Sequence, residues 1–168
     1  MATVTLRAGS PGMMGPSFPG SLPLHLHRQQ SEHVEVLRGT LGYVLGGVNA
    51  TLAAGGRAVF PAAAPHFVFA AGGADVQLRM ELRPALRGWE LHETLTGLGR
   101  DYGRLDGAPP LQLLLTATEA GAEVAGPAAG QAVVEHLLCP LARWLGYRPF
   151  YDEYAVPRPP AAPPGVVS

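Results

Sequence analysis

Two histidines separated by one residue, a glutamate five residues later and a distant third histidine are the side chains best suited to chemistry in this chain. They are His25, His27, Glu32 and His66. Side chains alternate between the two faces of a strand, so His25 and His27 point to the same side. Imidazole and carboxylate groups suit zinc, iron, manganese or nickel alike. The pattern therefore predicts one divalent transition metal, of open identity, held by these four residues.

The segments around these residues resemble the two sequence motifs of the cupin family. The first motif runs His-x-His, three or four residues, Glu and a short strand that ends in Gly. The second runs Gly, a short strand, Pro, a turn and His. The matching residues in this chain are His25, His27, Glu32, Gly39, Gly56, Pro61 and His66. The likeness covers residues 20–83 and implies a small jelly-roll barrel with a metal inside it.

Two positions of the second motif depart from the family pattern. The motif has Gly two residues after its Pro, where this chain has Ala63, and Asn four residues after its His, where this chain has Ala70. Neither position is a ligand. The departures therefore bear on the geometry of the turn, and all four ligand positions are kept.

The elements around the motifs are short strands separated by turns. Residues 76–83 alternate apolar and polar side chains, which is typical of a half-buried strand, and Pro84 ends it. About eight such segments suit a sheet that closes on itself. We therefore expect a mainly β fold, a single double-stranded β-helix (jelly-roll) barrel over residues 1–84.

The pattern changes to a helical period after Pro84. Apolar residues recur every three or four positions in three segments, so residues 85–155 are expected to be a helical extension packed outside the barrel. Pro140 should kink or break the third helix. The aromatic residues that follow either fix the C-terminal segment to the barrel or form a dimer contact or lid; they are Trp144, Tyr147, Phe150, Tyr151 and Tyr154. Residues 156–168 are expected to be a disordered proline-rich tail.

Composition excludes several classes of function. The chain has 168 residues, 47% hydrophobic residues and a formal net charge of -1, which gives no basic surface for nucleic acid. No apolar stretch reaches the roughly 18 residues needed to cross a bilayer. Cys139 is the single cysteine, so an internal disulfide is impossible. We expect a cytoplasmic protein with a small-molecule ligand and a possible homodimer.

The residues beside the ligands favour one reaction class. Val34, Val36, Val68 and Ala70 share the strand face of the ligands, which indicates an apolar lining suited to an apolar or aromatic molecule. No general acid or base with a defined place accompanies the ligands, so the metal itself must carry the chemistry. These features favour a dioxygenase-like oxidoreductase. The alternatives are a non-catalytic cupin that binds a small molecule or metal, a cupin isomerase or cyclase, and a structural or partner-binding barrel.

The other three histidines are not expected to be ligands. A single histidine outside such a pattern is more often solvated or hydrogen-bonded within the fold. These residues are His33, His92 and His136.

Overall fold

The computed structural model describes residues 2–6, 24–103 and 105–156, with the side chains of Ala2 and Asp106 left out. Within these ranges the chain forms nine strands. They are β1 (Ala2–Leu6), β2 (His25–His27), β3 (Ser31–Arg38), β4 (Thr40–Leu45), β5 (Val48–Ala53), β6 (Arg57–Phe60), β7 (His66–Ala71), β8 (Val76–Arg83) and β9 (Ala122–Val124). Strands β1 to β8 account for the roughly eight short segments that the sequence predicts, and β8 coincides with the alternating residues 76–83.

The strands form two antiparallel sheets. One has four strands in the order β1-β8-β3-β6, and the other has five in the order β5-β4-β7-β2-β9. Neighbours in each sheet are mostly distant in sequence, as expected for a jelly roll rather than a simple meander. The predicted mainly β jelly-roll fold is confirmed.

The barrel core is built from alternate residues of the strands. On β3 every second side chain is buried, starting with Glu32 and continuing through Val34 and Val36. The buried core residues are Leu6, Val34, Val36, Leu41, Phe60, Val68, Val76, Leu78 and Met80. Each such side chain contributes about 1.5–3 kcal/mol through burial. The inward direction predicted for the valines beside the ligands is therefore correct.

The turn from β3 into β4 requires the glycine that ends the first motif. Gly39 has a φ of 84°, a conformation that side chains rarely adopt. A Cβ at this position would lie 2.5 Å from the backbone oxygen of Asp75. The glycine therefore lets β3 turn at once into β4, which belongs to the other sheet.

The helices lie on the outer side of the five-stranded sheet. They are α1 (Gly88–Asp101), α2 (Pro110–Glu119), α3 (Ala128–Val133) and α4 (Cys139–Trp144), with 3₁₀ turns at Leu105–Gly107 and Asp152–Tyr154. The apolar faces of α1 and α2 form a second core, against which Phe67 packs. Phe67 lies between the inward-facing His66 and Val68 on β7 and so points outward. The helices thus cover the outer face of this sheet, as predicted.

The helical region also supplies a strand that the sequence did not predict. Strand β9 follows α2 and pairs with β2 in antiparallel register, with Val124 opposite His25 and Ala122 opposite His27. The backbone of Arg28 also donates to Gly121, and that of Ala125 donates to Leu24. The edge of β2, which carries two of the predicted ligands, is therefore covered by the chain's own C-terminal region.

Pro140 neither ends nor breaks the third helix. A π-helical segment, Val134–Leu138, joins α3 to α4, and Pro140 lies in the first turn of α4. Proline has no N–H to donate to the carbonyl four residues before it, and a π turn accommodates the missing bond by local widening. The chain therefore stays helical past Pro140, and its hydrogen-bond pattern changes just before that residue.

The C-terminal segment is attached to the helices by aromatic side chains. Tyr151 donates a hydrogen bond of 2.7 Å to Gln112 Oε1, and Tyr154 donates one of 2.7 Å to Asp101 Oδ2. The bond to Asp101 raises the pKa of Tyr154 to about 12. The predicted disorder of the tail lies outside the described residues, which reach only Val156.

In the described ranges, every helix is too short or too polar to traverse a lipid bilayer.

Candidate metal centre

Strands β2, β7 and β3 bring the four predicted ligands together from both sheets. His25 pairs in register with His66 across β2 and β7. On β2, His25 and His27 are buried while Leu26 between them is half-buried. Glu32 enters from β3 in the four-stranded sheet. All four side chains are between 1% and 5% exposed, so this metal-site quartet lies inside the barrel.

The spacing of the quartet fits a single metal ion. Each residue offers one ligand atom, and these atoms lie within 4.8 Å of one another. Glu32 Oε2 is 3.3 Å from His27 Nε2 and 3.4 Å from His66 Nε2. Ligand atoms bound to one metal at about 2.0–2.2 Å are roughly 3–4.4 Å apart. The quartet can therefore surround an ion with little rearrangement.

The hydrogen bonding of His66 leaves a lone pair directed at a carboxylate. His66 Nδ1 is 2.8 Å from the carbonyl oxygen of Ala64, which can only accept, so Nδ1 carries the proton. In the neutral ring Nε2 is then an acceptor, and it faces Glu32 Oε2 at 3.4 Å. Two acceptors at this distance repel each other unless a second proton or a metal cation lies between them.

Buried nitrogens of the other two histidines have no hydrogen-bond partner in the described part of the chain. These atoms are His25 Nδ1 and both ring nitrogens of His27. His27 Nε2 lies 3.3 Å from Glu32 Oε2 without forming a hydrogen bond to it. A buried polar atom left unpaired costs about 1–3 kcal/mol. Coordination of a metal would satisfy lone pairs that the protein leaves free, so the residues present fit the predicted group.

The protonation states also suit metal binding. Burial alone would raise the pKa of Glu32, but contacts from His27 and His66, which act as hydrogen bonds only with a proton on each Nε2, outweigh it and lower that pKa well below its ordinary value. A metal cation in place of those protons would favour the ionised carboxylate in the same way. Burial, reinforced by the nearby His66, lowers the pKa of His25 to about 3. At neutral pH Glu32 is therefore ionised and His25 neutral, the forms in which both residues coordinate metals.

The turn of the second motif orients His66. The backbone N–H of Ala63 donates to the carbonyl of His27 at 2.8 Å, which ties the turn to β2. Ala63 has a φ of 60°, the left-handed conformation that glycine adopts without strain. Ala63 therefore adopts the conformation that the turn requires, with some backbone strain that glycine would not have. Ala70, the second departure, packs half-buried against the barrel core.

Phe60 is a neighbour of the quartet that sequence reasoning missed. Its ring stacks on that of His66, with centroids 4.7 Å apart and an interplanar angle of 9°. Phe60 is fully buried and lies opposite Glu32 in the pairing of β3 with β6. Its position directly before the motif proline was the available signal. The stacked ring gives the site an apolar wall.

His92 is a second missed neighbour, whereas His33 and His136 lie apart from the quartet. His92 is half-buried on α1, where burial lowers its pKa and the charge of Glu32 opposes that change. The helical stripe that contains His92 was the signal that it faces the barrel. His33 contacts the Ser31 hydroxyl at 3.1 Å, and His136 is exposed. In the described part of the chain, none of the three lies within the quartet.

A groove is lined partly by residues that follow β2 and does not include the quartet. It has a volume of about 360 Å³ and is lined in part by Arg28, Gln30, Arg87 and Gly121. Gln30 is buried and donates from Nε2 to the carbonyl oxygens of Pro84 and Ala85. Gln30 therefore fixes the start of the helical region to the loop that leads from β2 to Glu32.

Comparisons with solved structures found partial likenesses. A sugar phosphate isomerase of the cupin superfamily from Silicibacter pomeroyi is 26% identical, covering 46% of this chain and 45% of that one, with a TM-score of 0.35. A cupin protein from Bacteroides fragilis is 20% identical over 48% and 59%, with a TM-score of 0.38. A cupin-2 domain containing protein from Shewanella frigidimarina is 24% identical over 47% and 65%, with a TM-score of 0.34. This chain thus spans less than two thirds of each.

No protein-family model matches the chain, and no curated protein matches it. The fold assignment depends on the chain's own geometry. Two antiparallel sheets enclose an apolar core, and residues of both motifs converge between them. The chain has a jelly-roll fold with residues of both cupin-like motifs at its centre.

Proposed function

We propose that this protein is a cupin and a metal-dependent enzyme that acts on a small organic molecule, with oxygenation of an apolar or aromatic substrate as its reaction. The observation that carries the proposal is the arrangement of His66. Its Nε2 lone pair faces the buried carboxylate of Glu32 at 3.4 Å, and a cation bound by these two residues would offset the repulsion.

The metal decides which chemistry the site can supply. Bound iron or manganese would support reaction with molecular oxygen, whereas zinc or nickel would act as a Lewis acid. The residues around the quartet keep its side chains in the forms that would bind either kind of metal. The Ala64 carbonyl fixes the tautomer of His66, and Glu32 supplies negative charge at neutral pH. Burial keeps His25 in its neutral, coordinating form.

The surroundings of the quartet support an apolar substrate. Phe60 stacks on His66, and buried Val34, Val36 and Val68 share the same interior. The groups that most affect the charge of Glu32 are histidines. Binding of a phosphorylated sugar would require cationic side chains such as arginine, which binds phosphate through paired hydrogen bonds. These features favour an uncharged or aromatic molecule.

The proposal is tested by oxygen consumption. Purified protein loaded with Fe²⁺, Mn²⁺, Ni²⁺ or Zn²⁺ in separate samples is offered phenolic and flavonoid-like compounds, and oxygen uptake and product mass are recorded. We expect uptake only with a redox-active metal, with labelled oxygen from ¹⁸O₂ in the product. Turnover that proceeds without oxygen would replace oxygenation by isomerisation, and binding without turnover would leave a non-catalytic cupin.

The matched variants are His66→Ala and His33→Ala. His66 is in the quartet, whereas His33 points to the opposite face of β3 and contacts Ser31. We expect the first to lose activity and the second to keep it. Equal turnover in both would remove the quartet from the reaction.

A further inference from the structure

The C-terminal helix presents an unusual face to solvent. From α3 through the π-helical segment to α4, five large apolar side chains are exposed, by fractions between 39% and 81%. We call them the outer helix face: Val133, Leu137, Leu141, Trp144 and Leu145. Trp144 alone is 81% exposed. A helix at the surface of a monomer normally shows polar side chains on this side.

The charged residues of this helix form ion pairs with other residues of the same chain. Glu135 accepts a bond of 2.9 Å from Arg28, and Arg143 donates one of 2.5 Å to Glu119. Cys139 and Ala142 on the inner side are buried against Leu115. His136 is therefore the polar residue on the outer helix face. The described helix has no unpaired charge that would have to be desolvated when an apolar surface binds there.

We propose that the outer helix face is the contact between two copies of this chain. Antiparallel pairing about a twofold axis near Cys139 would place Leu137 opposite the partner's Leu141, and Val133 opposite the partner's Leu145. Each apolar residue of the face would thus meet an apolar residue of the partner, as a twofold interface requires. Because both charges of the helix are already paired, two copies meet without like-charge repulsion.

The exposed area supports a second copy as the occupant. The five side chains expose roughly 500 Å² of apolar surface, at the upper end for the largest patch on a monomer. Two copies would then cover about 1,000 Å², which is the least that a specific interface needs. A membrane surface would instead favour free cationic side chains beside the apolar stripe. Here Arg143 is held by Glu119.

The test is the mass of the full chain in solution, measured by sedimentation and light scattering over a range of concentrations. We expect a concentration-dependent rise to twice 17.6 kDa. Leu137→Glu and Trp144→Glu change exposed side chains and should give folded monomers. Val48→Glu alters an equally accessible residue, 67% exposed on β5, and should leave the dimer intact. Circular dichroism checks the fold of each variant.

Three results would overturn the proposal. The first is a chain that stays monomeric at every concentration. The second is a dimer that survives both outer-face variants, because another surface must then hold it. The third is a monomer that binds vesicles of phosphatidylcholine and phosphatidylglycerol through Trp144, because the face would then serve a lipid surface.

Discussion

At the residue scale, each histidine of the metal-site quartet has a separate constraint. His66 is fixed by the Ala64 carbonyl and by the ring of Phe60. His25 and His27 are held by the alternation of β2, with nitrogens left unpaired. The identity of all four side chains and their convergence could be predicted from spacing and strand parity. Phe60 and His92 were missed, because their signals, a position before the motif proline and a helical stripe, fit an ordinary core residue equally well.

The strain at Ala63 leads to a first prediction. The left-handed conformation costs a residue with a Cβ about 1–2 kcal/mol, and part of this is regained with glycine. Ala63→Gly should therefore raise the free energy of unfolding by about 0.5–1 kcal/mol without moving His66. Urea denaturation measures the change. Ala62→Gly, in the same exposed turn but without a positive φ, is the control and should destabilise or leave stability unchanged.

The pKa of His25 predicts how the metal-free protein responds to acid. Its folded pKa is about 3, below the ordinary 6.5, so the unfolded chain binds a proton between these values and the folded chain does not. Stability is thus fully present above pH 6.5 and is lost as the pH falls toward 3. Glu32, whose pKa is also lowered, adds a loss in the same direction at lower pH.

We expect the metal-free protein to lose roughly 1 kcal/mol per pH unit from His25 between pH 6 and 4. Urea titrations at several pH values in the presence of a chelator measure this slope. His25→Gln has no ring to protonate and should show a shallower slope. The same slope in wild type and variant would contradict the protonation state assigned to His25.

At the element scale, the strands that carry the site could be predicted from the sequence. Strand β9 and the π-helical segment could not. Alternation over eight residues marks β8, and motif spacing marks β2, β3 and β7. Strand β9 has three residues, Ala122–Val124, too few to show a period. The π-helical segment could not be predicted either, because the sequence indicates that Pro140 disturbs the helix but not how the neighbouring hydrogen bonds adjust.

Gln112 is the point at which the C-terminal segment joins α2, and it gives a third prediction. Its Nε2 donates to the Arg148 carbonyl at 2.7 Å, and its Oε1 accepts from Tyr151. Gln112→Leu leaves both partners unpaired, so we expect a loss of about 1–3 kcal/mol in unfolding free energy. Hydrogen exchange should rise in residues 147–154. Gln77→Leu changes an exposed glutamine on β8 and serves as the control. Unchanged exchange in that segment would show that Gln112 does not anchor it.

At the scale of the whole molecule, the quartet links the two sheets. Three ligands lie in the five-stranded sheet and Glu32 lies in the other, so a bound metal would cross-link the barrel from inside. Ligands that converge only in the folded state couple metal binding to folding. A family resemblance and a count of strands could predict the barrel, and the helical period could predict helices outside it. Which sheet the helices cover, and the exposure of Trp144, depend on tertiary contacts that no local pattern records.

This coupling predicts that the metal raises the melting temperature. Removal of the metal by a chelator should lower the melting temperature by several degrees, and adding the metal back should restore it. Differential scanning calorimetry with and without chelator measures the shift. His33→Ala should show the same shift, because its ring lies outside the quartet. An unchanged melting temperature, with metal loss confirmed, would mean that the ion does not brace the sheets.

Metal content of the purified protein tests the central claim most directly. Elemental analysis by mass spectrometry is applied to wild type, His66→Ala and His33→Ala, each checked for a folded barrel by circular dichroism. We predict about one transition metal per chain in wild type and His33→Ala, and a large loss in His66→Ala. Equal metal content in the two variants, or wild type that stays metal-free when Fe²⁺, Mn²⁺, Ni²⁺ and Zn²⁺ are supplied, would contradict the account.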